Sequence, residues 1–166
     1  MKKTFLFGVM CFFAVAVSAQ FVDLGLPSGT LWKDANEAGW HAFGDMADED
    51  DEIPSQKQWE ELLKECTWEC QGDAYRVTGP NGKSIFFSLE GYRKYDEEAT
   101  IVGEGNSGYY WTTQKDGTNN AFYVRIDSSS KEIKSMDKRY GLTVRLVQKK
   151  GNERNGKSKK DASSTD

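Results

Sequence analysis

The chain has a single histidine, His41, in 166 residues, and of its three cysteines one, Cys11, lies in a leading apolar segment. This scarcity excludes a good deal. Cys66, Cys70 and His41 are too few for a structural zinc site, which takes four thiolate or imidazole ligands. His41 has no second histidine to work with, and there is no G-x-S-x-G elbow to supply a nucleophile. No acidic stretch has the ordered oxygen ligands and loop glycine of an EF-hand. The sequence has no internal repeat and no parallel βαβ unit. No catalytic residue, no metal and no cofactor are therefore expected. The apolar run Phe5 to Val17 is too short for a transmembrane span, so no stable membrane insertion is expected either.

What the sequence does have begins with that run. Lys2 and Lys3 precede it, and Val17-Ser18-Ala19 follows with the small residues that signal peptidase requires. Residues 1–19 read as a signal peptide, and the exported chain as beginning at Gln20. Its expected location is the periplasm, the cell surface or the medium. A lipoprotein would need a cysteine at the end of the apolar run, whereas Cys11 sits inside it.

The formal charge is −4. Loss of Lys2 and Lys3 takes it to −6. Residues 149–166, with six basic and three acidic side chains, carry +3 and leave −9 on residues 20–148. A body this acidic repels phosphate backbones, so nucleic acid is not an expected partner. Residues 149–166 contain no large apolar side chain and read as a disordered basic tail. Residues 20–148 are enough for one domain with its own core.

One helix is strongly signalled. Ser55 with Gln58 three residues on makes a capping box, and Trp59, Leu62, Leu63 and Cys66 then fall on one helical face. The pattern predicts a helix from about Gln56 to Glu65 with Trp59 and Leu62 inward. The rest reads as strands and turns. Phe21–Leu24 and Thr30–Trp32 form a first hairpin. Tyr75–Thr78 and Ser84–Phe87 flank an Asn81-Gly82 turn. Gly108–Thr113, Ala121–Ile126 and Leu142–Val147 follow, with Glu132–Lys134 as a short edge. The expected class is α+β.

Several ordered segments carry a resemblance. They are Val22-Asp23-Leu24-Gly25-Leu26-Pro27-Ser28-Gly29-Thr30-Leu31-Trp32, Ile53-Pro54-Ser55 with Trp59-Glu60-Glu61-Leu62, Cys66-Thr67-Trp68, Val77-Thr78-Gly79-Pro80-Asn81-Gly82, Glu90-Gly91-Tyr92-Arg93, Gly108-Tyr109-Tyr110-Trp111-Thr112-Thr113 and Gly141-Leu142-Thr143-Val144-Arg145. Together they resemble the Fibrobacter succinogenes major paralogous domain, found in exported proteins of Bacteroidetes and their relatives. The resemblance covers nearly all of residues 21–148. It implies a C-type-lectin-like fold shared with formylglycine-generating enzymes: one early helix packed on a small twisted antiparallel sheet with long loops. Two departures stand out. Asp34-Ala35-Asn36-Glu37-Ala38-Gly39 replaces a Cys-Asn-Val-Gly stretch, and the insert that follows is shortened to His41–Glu52. The family implies an address and a fold, and little chemistry.

Candidate sites were weighed on this basis. Asp45, Asp48, Glu49, Asp50, Asp51 and Glu52 form the densest charge cluster. It lacks the Glu-Pro-Asn, Gln-Pro-Asp and Trp-Asn-Asp calcium motifs of true C-type lectins, and reads as a solvated acidic loop. Cys66 and Cys70 could close a local disulfide or remain structural thiols; a bridge needs the chain to turn between them. The thiol pair of formylglycine-generating enzymes lies near the C-terminal end of their fold, so that role is not carried over. His41, beside Trp40, reads as a surface or packing residue. Tyr92, Arg93, Tyr95 and Tyr109 flank the Gly-rich stretch Gly91 to Tyr110 and form the expected ligand-binding face: flat amphipathic rings beside a planar donor fork. The expected function is non-catalytic recognition of a glycan or a protein outside the cytoplasm. The alternatives are a secreted effector acting on host or competitor cells, and an enzyme of the formylglycine-generating type.

Overall fold

The structure, a computed structural model, describes residues 19–46 and 52–151. The leading segment up to residue 18, residues 152–166 of the expected tail, and Asp48, Glu49, Asp50 and Asp51 of the acidic run lie outside the described residues. No helix among the described residues is long and apolar enough to cross a membrane.

The elements run β1 (Phe21–Asp23), β2 (Thr30–Lys33), α1 (Gln56–Glu65), β3 (Thr67–Cys70), β4 (Ala74–Thr78), β5 (Ser84–Ser88), β6 (Tyr92–Arg93), β7 (Ile101–Val102), β8 (Ser107–Asp116), β9 (Asn120–Asp127), β10 (Lys131–Asp137) and β11 (Val147–Lys149). They overturn the expectation of one helix on one small sheet. The strands form three three-stranded sheets, in the orders β1-β2-β11, β10-β9-β8 and β3-β4-β5, and a two-stranded sheet β6-β7. Helix and antiparallel strand coexist, so the broad α+β class is compatible, but among the described residues the regular structure is mostly small antiparallel sheets, and α1 is one short helix beside four of them.

The reason lies in β8 and β9. Most of their residues are buried on both faces, as happens when a sheet is covered on two sides. On one face Tyr110, Val124 and Ile126 join a core with Trp32, Trp59, Leu62, Val77, Ile85 and Phe87. On the other, Tyr109, Trp111 and Tyr123 join a second core with Leu142, Val144 and Leu146. One central sheet thus separates two hydrophobic clusters, and the smaller sheets close over them.

The helix forms where its local signals place it. Ser55 is the N-cap, its hydroxyl accepts from the Gln58 N–H, and the Gln58 side chain accepts from the Ser55 N–H at 2.8 Å. Trp59 and Leu62 are buried. The Trp59 ring lies 4.8 Å from Trp32 and 5.5 Å from both Phe87 and Tyr110. A bulge in β8 between Trp111 and Lys115 docks the helix start: the Thr113 N–H donates to Pro54 O, and the Gln114 side chain accepts from the Gln56 N–H at 2.8 Å.

Leu142–Val147, expected as a strand, becomes one only at Val147. The residues before it form a strap that bonds in turn to different elements. Leu142 exchanges both hydrogen bonds with His41, Thr143 exchanges with β8, and the Val144 and Leu146 carbonyls accept from Glu37 and Lys33. The alternation expected of a half-buried strand does not carry over into burial: Thr143, Arg145 and Val147 are as buried as Leu142, Val144 and Leu146. At its C-terminal end, Lys149 pairs with Thr30 in β11, and the Lys150 ammonium reaches Asp23 at 2.9 Å. The ordered body therefore extends past residue 148.

Candidate functional site

The expected binding face is built from β6, β8 and the turn after β10. Gly91 makes the entry to β6 close: its φ is +67°, and a Cβ there would meet the Val102 carbonyl at 2.3 Å. This presses Tyr92 against Tyr109 on β8, with ring centroids 4.8 Å apart. Tyr140 packs edge-on against both Tyr92, at 5.6 Å, and Tyr95, at 4.9 Å. Inward, Tyr109 stacks on Tyr123 at 5.7 Å, and Tyr123 meets Trp111 at 6.3 Å. The rings form a continuous row, from half-exposed Tyr95 to buried Trp111.

Three of the four expected residues fall in this row. Tyr92 and Tyr109 touch, and Tyr95 joins them through Tyr140. Arg93 does not: its strand neighbour Tyr92 takes the aromatic side, while Arg93 pairs through its backbone with Gly141 and lies against it. The cation of the row is Arg139, whose guanidinium sits 4.2 Å over the Tyr95 ring and donates to its hydroxyl at 3.2 Å. Arg139 and Tyr140 escaped the sequence reading because the β10 turn, far along the chain, brings them to Tyr95. The nearest signal was the extended β10 itself, of which only Glu132–Lys134 was read. Tyr109 is buried, so its role is to support the row.

The electrostatics of the face are settled by local bonds. Asp137 accepts from the Arg139 side chain and its backbone N–H, which hold the carboxyl down at about 2. Asp137 in turn holds the Arg139 guanidinium above its ordinary range. Burial, with Tyr109 and Tyr140 alongside, pushes the Tyr92 phenol up; burial does the same to Tyr123. These phenols are neutral hydroxyls at physiological pH, able both to donate and to accept.

A second feature lies past the inner end of the row. A cavity of about 360 Å³ is walled by Phe43, Met46, Ile53, Trp111 and Val144, with Lys138 at its edge. The Trp111 indole donates to the His41 carbonyl at 2.7 Å, which fixes that wall. Lys138 donates to the Gly117 and Thr118 carbonyls at 3.1 and 2.5 Å.

The remaining candidates take structural places. Cys66 and Cys70 are both free thiols, Cys66 buried and Cys70 exposed. Of the two alternatives, the local bridge is not formed: β3 runs extended between them, and four residues at about 3.3 Å each outreach a disulfide. Burial, with Glu65 and Glu61 nearby, pushes the Cys66 thiol up to about 11. A His41 ring nitrogen bonds the Ala38 carbonyl at 3.0 Å. Asp45 accepts from the Ala42 N–H at 3.0 Å, a loop-closing role. Among the described residues no three His, Cys, Asp or Glu side chains gather as a metal site.

Arg145, which the sequence marks only as part of the Gly141–Arg145 segment, is the most buried charge among the described residues. It donates to Asn36 Oδ1 at 2.8 and 2.6 Å, to the Lys33 carbonyl at 2.7 Å and to the Phe86 carbonyl at 2.6 Å. Its guanidinium lies 4.1 Å over the Phe87 ring. Burial lowers it to about 10, which still leaves it charged at neutral pH. It ties β2, the loop after it and β5 together.

A family model described as a domain of unknown function (DUF8237) matches residues 51–147. No curated protein and no solved structure matched the chain.

Proposed function

The chain belongs to the DUF8237 family, and we propose that it is an exported, non-catalytic recognition module whose tyrosine face binds a glycan or a protein outside the cytoplasm. The observation that carries this reading is the row of rings from Tyr95 through Tyr140 and Tyr92 to Tyr109, capped by the Arg139 guanidinium. Rings fixed by their neighbours lose little rotamer freedom on binding, and their hydroxyls supply directional hydrogen bonds. The signal-like residues 1–19 and the resemblance to a paralogous domain of exported proteins support the address. One positive feature favours recognition over catalysis by Cys66: burial pushes its thiol away from the thiolate that attack requires.

A second reading follows from the 360 Å³ cavity. Its apolar wall of Phe43, Met46, Ile53, Trp111 and Val144, with Lys115 and Lys138 also lining it, suits a small, largely apolar ligand. A glycan array and a pull-down with the exported protein separate the two. Tyr95→Ala with Arg139→Ala is expected to abolish capture while leaving circular dichroism unchanged. If capture survives that pair but is lost on Met46→Trp, which fills the cavity, the cavity reading replaces this one.

A further inference from the structure

Gln20 is the first residue whose backbone the described fold holds. Its N–H donates to Asp34 Oδ1 at 2.9 Å, and its carbonyl accepts from the Asp34 N–H at 2.9 Å. β1 starts one residue later, with Phe21 opposite Lys33. The structure is therefore gripped at the residue that follows Val17-Ser18-Ala19.

Cleavage after Ala19, which is part of the export reading proposed above, would turn that amide N–H into a primary amine. A nitrogen already 2.9 Å from a carboxylate oxygen would then carry a positive charge. The Lys33 ammonium is taken by Glu37. The buried Arg145 guanidinium spends its donors on Asn36, Lys33 O and Phe86 O. No Lys or Arg among the described residues pairs with Asp34 through its side chain.

We infer that Asp34 is the counter-ion of the mature chain's α-ammonium, and that this ion pair protects Gln20 from cyclising to pyroglutamate. Cyclisation needs the neutral amine. The α-nitrogen attacks Cδ of its own carboxamide, the N–Cδ bond forms, the Cδ–Nε2 bond breaks, and ammonia leaves with the proton the nitrogen sheds. A carboxylate that keeps the amine protonated withholds the lone pair. The Asp34 N–H bond to the Gln20 carbonyl keeps that carboxylate in place.

The charged groups around the pair are Lys33 and Glu37, which pair with each other, and Arg145, whose donors go to Asn36, Lys33 O and Phe86 O but whose charge also couples to Asp34. Asp34, with an oxygen 2.9 Å from the nitrogen, is the carboxylate placed to favour the charged amine over the neutral one, whose ordinary range is about 7.7–8.0. Protection is present below that range and is lost as pH rises through the amine's raised value.

The test is intact-mass spectrometry of the exported protein, followed over time near pH 7 and again near pH 9. Wild type is expected to begin at Gln20 and to lose one ammonia slowly. Asp34→Asn should lose it about threefold faster near pH 7, the scale of an exposed pair. Asp34→Glu should restore protection, and the rates should converge near pH 9 and in urea, where the site is unfolded. Equal rates for wild type and Asp34→Asn near pH 7, from chains that both begin at Gln20, overturn the ion pair alone. A chain that begins elsewhere overturns the export reading and the pair together.

Discussion

Arg145 shows how much a single side chain can carry. Its guanidinium satisfies Asn36 Oδ1 and the Lys33 and Phe86 carbonyls at once. Arg145→Met leaves those acceptors buried without donors and should cost about 3 kcal/mol or more in urea unfolding. Ser55 and Trp59 are the opposite kind of residue, legible because their signals are local. Ser55→Ala should cost about 1 kcal/mol through the lost cap, and Trp59→Ala about 3–5 kcal/mol through the cavity it leaves. Arg145 was illegible because its partners lie far along the chain, and sequence spacing carries no trace of them. Asp127 sets an acid limit. The Ser129 hydroxyl and the Ser129 and Ser130 N–H groups, with Arg125, hold it at about 2, below its ordinary 3.8. A depressed carboxyl stabilises the fold above its unfolded value. That contribution is complete above about pH 4 and disappears as pH falls toward 2. Unfolding midpoints measured from pH 6 to pH 2 should fall in that window, and less steeply in Asp127→Asn.

At the scale of elements, the helix and the hairpins follow from patterns of two to ten residues, and the sequence placed them well. The division into four sheets did not follow. β8 reads as one strand in either a single-sheet or a multi-sheet arrangement. What decides is that both its faces are covered, by Trp59 and Phe87 on one side and by Leu142 and Val144 on the other. The strap before β11 shows the same limit: its alternation reads as a half-buried strand, yet Leu142 to Val147 are all buried and their backbones bond to β2, the loop after it and β8 in turn. The packing between the first hairpin and the β4–β5 turn is equally non-local. A Cβ on Gly79 would lie 2.1 Å from the Leu24 carbonyl. Gly79→Ala should therefore destabilise by roughly 1–3 kcal/mol. A neutral effect in thermal unfolding would mean that the two hairpins do not sit as described.

For the molecule as a whole, the two-core plan explains where a binding face can be. The main core is sealed by aromatic packing, whereas the second core opens outward through Tyr109, Tyr92 and Tyr140 to half-exposed Tyr95. The sequence pointed to Tyr92, Tyr95 and Tyr109 because they flank a Gly-rich stretch. It pointed to Arg93 in place of Arg139 because a strand's alternation hides which neighbour the fold will supply. The central claim is that this face, and not the cavity beyond Trp111, is where a partner binds. Hydrogen exchange of the exported protein with and without its captured glycan or protein tests this most directly. The account predicts slowed exchange at residues 92–95 and 137–141 and little change at 42–46 and 111–115. Protection confined to 42–46 and 111–115 would contradict it.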